Sequence, residues 1–152
     1  MSIVTITYVK DTAFFTNYDE GNIKQAYIDI VEDNTIKPIL GKDLYNAVSG
    51  GSPSAIEITL RDTYVKPLIA YSVKSMALAE TGPLVSNTGA SFTNTNNSTV
   101  TSEAIEDAHR SNEALTLQLR QRLIEYLRDN AAAYNWTELD DSDFLTKNIF
   151  VP

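Results

Sequence analysis

His109 is the only histidine of the chain. Glu106 stands three residues before it and Glu113 four after, so on a helix the imidazole would sit among carboxylates. Acid–base or nucleophilic work needs a poised partner of that kind. The same constellation is also ordinary helix-surface chemistry, and a metal site of the usual type would want more imidazoles or thiolates. Thiolates are absent, because the chain has no cysteine. That removes disulfide frameworks as well, and it fits a reducing compartment or a particle assembled in one.

Four further stretches could carry chemistry. "ILGKD" at residues 39–43 holds a Gly-Lys pair. A phosphate-binding loop needs G-x-x-x-x-G-K-[ST] between a strand and a helix. Here Ile36 stands where the first glycine belongs and Asp43 replaces the hydroxyl, so Gly41 reads as a turn glycine before a helix. "LDDSDF" offers Asp140, Asp141 and Asp143. A calcium loop of the helix–loop–helix kind also needs a turn glycine and a glutamate at its twelfth position, and neither is present. An acidic solvated tail accounts for the run. Asn96, Asn97 and Asn135 begin matches to the glycosylation acceptor pattern, which carry little weight without a secretory signal. The residues therefore point to no enzyme, no cofactor and no metal.

Composition narrows the classes. The 152 residues suit one domain, and a hydrophobic fraction of 43% allows a core without staples. The formal net charge is −8, with 20 acidic against 12 basic residues. That argues against a dedicated nucleic-acid-binding stripe, although an acidic wall would let DNA slide past without sticking. No stretch of about eighteen apolar residues exists, so no membrane span is expected. The first residues, "MSIVTITYVKD", have no basic region and do not read as a signal peptide.

The elements that would position these residues are mainly helical. Residues 3–9 alternate like a strand, so residues 1–18 read as an arm or edge strand. From 20 to 33, Ile23, Ala26, Tyr27, Ile30 and Val31 form one helical stripe, with Asn17 or Asp19 as its cap. Pro38 and Gly41 predict a break and a turn, followed by a short helix that Gly50 and Gly51 stop. Ser52 or Ser54 starts a third helix, which Pro67 should kink or split near Lys66. The fourth and longest helix should begin after Thr101 or Ser102 and run to about Tyr134. Its stripe includes Ile105, Ala108, Leu115, Leu119, Leu123, Tyr126 and Leu127, and Asn112 falls on it too. Residues 135–152 read as a tail. No internal repeat is evident.

Residues 82–102, "GPLVSNTGASFTNTNNSTVTS", contain no Lys, Arg, Asp or Glu. A loop of about twenty residues inside a compact domain is either functional or unstructured.

The order of the pieces resembles a known family. "AYIDIVEDNTIKPILGKDLYNAV" (26–48) is similar to the opening of head–tail connector, or head-completion, proteins of tailed bacteriophages, above all those of crAss-like and related Bacteroidetes phages. "LRDTYVKPLIAYSVKSMALAE" (60–80) resembles their next helix. A polar "VSNTGA" segment and a long helix ending "LRQRLIEYLRDN" (119–130) follow in the same order. The resemblance covers roughly residues 20–130.

It implies a mainly α fold: a small helical bundle with one long C-terminal helix, a projecting polar loop or hairpin, and extended N- and C-terminal arms. Residues 19–134 would be the connector-like domain. The resemblance further implies a structural virion protein, assembled in the host cytoplasm. It would form a homo-oligomeric, dodecameric neck ring under the portal protein, prolong the channel for DNA without sequence-specific binding, and dock other neck and tail proteins. No membrane, cofactor or catalytic residue belongs to that picture. Leu84, Val85, Phe92 and Val100, the large apolar residues of the polar segment, would then touch a neighbouring subunit or the portal. An uncharged segment there avoids holding phosphates and avoids desolvating carboxylates. The same composition also reads as an unstructured loop, and the sequence leaves the two open. The competing reading is a small helical adaptor that binds one protein partner through its long helix or its loop.

Overall fold

A computed structural model describes residues 2–14, 18–81 and 102–137. Among them there are helices and no strand. The mainly α bundle with one long C-terminal helix is thus the observed fold.

The N-terminus differs from the alternating-strand expectation. Residues 2–5 are not helical, and α1 spans Ile6–Ala13. The Thr5 side chain caps it by accepting the Tyr8 N–H at 3.2 Å. The apolar residues 6, 9 and 13 are also spaced for a helix, and Val9 and Ala13 are buried. With no partner strand among the described residues, packing on the bundle decides between the two periods. Ile3 and Val4 are buried as well, so this segment belongs to the core rather than to a free arm.

Asp19 caps a single 3₁₀ turn, Glu20–Asn22, accepting the Gly21 N–H at 2.9 Å. Then α2 (Gln25–Val31) begins. Its buried side is Tyr27, Ile28 and Val31, joined by Ile23 before it, whereas Ala26 is exposed and Ile30 is 43% exposed. The expected stripe was therefore rotated: Ile28 takes the inward place assigned to Ile30.

The helix does not break at Pro38. It passes through a π turn, Glu32–Ile36, into α3 (Lys37–Leu40), and Lys37 keeps right-handed helical angles. The Lys37 N–H reaches the Glu32 carbonyl five residues back. One extra residue widens the turn, and this accommodates a proline ring that would collide with an ordinary α turn. The true break is Gly41, at φ 74 and ψ 164, a conformation essentially reserved for glycine. Next, α4 (Lys42–Ser49) buries Leu44, Tyr45 and Val48 and stops at Gly50.

The same device recurs. Ser54 opens α5 (Ala55–Leu60) with a reciprocal capping box to Glu57. A second π turn, Arg61–Val65, leads straight into α6 (Lys66–Thr81), so Pro67 does not split the helix. Both π turns end on D-x-x-[IV]-K-P: Asp33 to Pro38 and Asp62 to Pro67. In each, aspartate and lysine pair across one turn, with Lys66 Nζ 2.8 Å from Asp62 Oδ1. In each, the lysine also lies over a tyrosine ring, Lys37 over Tyr45 at 5.0 Å and Lys66 over Tyr8 at 5.5 Å.

The centre of the fold is α6. Leu68, Ile69, Ala70 and Val73 are fully buried, and α1, α2 and α7 all pack on this helix. With 28 residues, α7 (Ser102–Asp129) runs about 42 Å. Among its described side chains, Asn112, Leu123 and Leu127 are the buried ones, while Ala108 is exposed. A turn at Asn130 separates α7 from α8 (Ala131–Tyr134), and residues 135–137 fold back on the bundle rather than leaving it as a tail.

Candidate functional site

The corner between α3 and α4 is set by Gly41, because only a glycine turns the chain there without strain. The start of α5 lies against this corner, and α8 closes it from the far end of the chain. The result is an open cavity of about 380 Å³. Leu40, Leu44 and Ile56 give it apolar wall, and Lys42, Asp43 and Glu57 bring charge to it.

Aromatic side chains clasp its C-terminal side. Trp136 Nε1 donates to the Ile39 carbonyl at 2.8 Å, joining residues 97 apart in sequence. The Tyr134 hydroxyl donates to the Ile56 carbonyl at 2.9 Å. Its single proton is thereby used, so the Tyr126 hydroxyl, 3.0 Å away, is the donor in their contact. Tyr126 also stacks on Tyr64, with ring centroids 4.2 Å apart. Burial, and then the bond with Tyr126, pushes the Tyr134 hydroxyl well above the ordinary tyrosine range. Glu57 is shifted the other way. The Ser54 N–H, and then its hydroxyl, hold that carboxyl below its usual value. The indole and phenol donors are thus committed to the protein itself. What the cavity offers a visitor is apolar surface and a charged rim, which suits a docking contact.

A second polar centre holds the N-terminus. Glu32, the first residue of the first π turn, is only 4% exposed. Its Oε1 accepts the Ile3 N–H at 2.7 Å and the Ser2 hydroxyl at 2.8 Å. Its Oε2 accepts the Tyr45 hydroxyl at 2.7 Å. Burial, followed by this bond, pushes the Tyr45 hydroxyl well above its ordinary range.

The residues that suggested catalysis, Glu106, His109 and Glu113, share one helix, α7, at the spacing the sequence gives them. His109 lies half-buried on α7, and Glu106 pairs with Arg110 at 3.5 Å rather than with the imidazole. Gly41, Lys42 and Asp43 of "ILGKD" do come together, at the cavity. Asn135, from one acceptor pattern, sits beside them in the left-handed conformation at φ 49. Asp140, Asp141 and Asp143, Asn96 and Asn97, and the interface candidates Leu84, Val85, Phe92 and Val100 lie outside the described residues. Among the described residues no group of three or more His, Asp or Glu could hold a metal, and no helix is long and apolar enough to cross a membrane.

Sequence reasoning missed Glu32 and the clasp. Glu32 carried one signal: Ile28, Glu32 and Ile36 are spaced by four, so a charged residue stood on the inward stripe. The clasp joins residues too far apart in sequence for periodicity to connect.

A profile described as a family of unknown function, DUF6712, matches residues 36–143. The chain belongs to this family. The DUF6712 match opens at Ile36, the last residue of the first π turn, and includes both Lys-Pro segments, the cavity corner and the clasp. It leaves α1, α2 and Glu32 before it. No curated protein and no solved structure matches the chain.

Proposed function

We propose that the protein is a structural virion subunit of the phage neck. In this reading, copies form a ring under the portal, extend the DNA channel and receive the tail. The observation that carries it is where the resemblance falls in the fold. The segments most like connector proteins, 26–48 and 60–80, are those that form the two π turns, the Gly41 corner and the central helix. They are thus the architecture itself, not surface decoration. A small helical bundle is also what the resemblance implies. The open corner cavity supplies a docking surface, and the acidic balance suits a channel that DNA traverses.

The adaptor reading draws on a different feature. Leu117, on the outer side of α7, is 55% exposed and could seat a single partner in place of a ring neighbour. Quantitative mass spectrometry of purified particles separates the two. The neck reading expects the protein in every particle at a fixed ratio to portal. Its absence from particles would overturn that reading.

A further inference from the structure

Where α6 and α7 pair, Asn112 is the one buried polar residue among the described residues. Asn112 is 5% exposed, while Val73 and Ala77 on α6 and Leu123 and Leu127 on α7 are buried hydrocarbon. Its Nδ2 donates to the Tyr71 carbonyl at 3.1 Å and to the Ser75 hydroxyl. Its Oδ1 is buried with no hydrogen-bond partner among the described residues. A leucine there would bury no orphan acceptor. Nor would Tyr71 and Ser75 be stranded by the change, because the Ser75 hydroxyl already donates to the Tyr71 carbonyl at 3.4 Å. On stability alone, asparagine is therefore the worse choice.

What asparagine adds is position. At its C-terminal end α7 is already fixed, by the Tyr64–Tyr126 stack and by the Tyr134 and Trp136 bonds. Asn112 lies about 21 Å from Tyr126 along the helix. Among the α7 side chains described, from residue 106 on, it is the buried one nearest the N-terminus, since none of residues 106–111 is buried. The connection from α6 to α7 is about twenty residues, far longer than a loop that dictates helix alignment. Apolar contacts such as those of Val73 and Ala77 tolerate sliding and rotation, so they do not by themselves fix the distal halves. A lone buried asparagine that selects one register at a cost in stability is a known device of helix pairs.

We propose that Asn112 is a positioning residue: a polar latch that sets the alignment of the distal halves of α6 and α7. The inference rests on the fold and stands apart from the neck reading.

The chain has no cysteine, so spin labels can be placed at will. One pair, at Ser72→Cys and Ser111→Cys, reports the distal alignment. A second pair, at Thr59→Cys and Gln121→Cys, reports the clasped end. In the parent protein both pairs should give one narrow distance. Asn112→Leu should melt at a higher temperature yet broaden or split the distal distance, leaving the clasped one unchanged. Asn112→Ala repeats the test without added volume, should leucine not be accommodated. A distal distance as narrow as the parent's in these variants overturns the proposal.

Discussion

Replacing Glu32 by alanine would strand three donors at once: the Ser2 hydroxyl, the Ile3 N–H and the Tyr45 hydroxyl. The expected loss is about 3 kcal/mol, read from urea unfolding. Glu32→Gln should lose clearly less. Its remaining oxygen still accepts, and the new amide can donate to the tyrosine oxygen. Equal losses in the two variants would contradict this account of Glu32. The α5 cap gives a pH test. Ser54→Ala should cost about 1 kcal/mol at neutral pH. The Glu57 carboxyl titrates below its unfolded value of 4.5 because the Ser54 N–H and hydroxyl bond to it. Its contribution is therefore complete above that value and is lost as pH falls through the folded one. Glu57→Gln should then be less stable than the parent at pH 7 and indistinguishable from it at pH 2. A deficit that persists in acid would contradict the assignment.

At the level of elements, the two π turns carry the argument. Deleting Asn34 would remove the extra residue of the first turn and rotate Ile39 and Leu40 by about 100° away from the core. Burying neither should cost more than about 3 kcal/mol, seen as a lost or broadened thermal transition. Gly41→Ala tests the corner. Nothing lies within 4 Å of the added methyl group, so any cost is backbone strain from the positive φ, about 1–3 kcal/mol. These elements also show how much the sequence could reveal. The long helix, the short α4, the Ser54 start and the Gly41 turn follow from local chemistry, and all stand close to where that chemistry put them. The strand expected at residues 3–9 failed because Ile6, Val9 and Ala13 satisfy a helical period too, and only contact with the bundle could choose. Pro38 and Pro67 misled because the penalty for proline assumes an α turn before it, and a π turn relieves it. The repeated D-x-x-[IV]-K-P was in plain view, but two six-residue stretches, each with one aspartate, one lysine and one proline, gain meaning only when both form the same turn. The candidate site was less legible. Gly41 and Lys42 stood out in the sequence, yet their companions Tyr134 and Trp136 are brought in by the turn at Asn130, which leaves no periodic trace.

At the scale of the whole molecule, the neck reading makes the bundle a rigid block that must meet identical neighbours and a portal. Replacing residues 83–101 with a short Gly/Ser linker should then leave the helical circular dichroism of the bundle intact while abolishing assembly. An assembly unaffected by that replacement would remove those residues from the interface. The charge of −8 predicts that the protein will not retain DNA on its own at physiological salt, and a filter-binding assay checks this. The most direct test of the central claim is the native mass of the protein alone and mixed with its portal. A closed ring, formed alone or only on the portal, is the predicted result. A monomer whose mass is unchanged by the portal would contradict the neck reading.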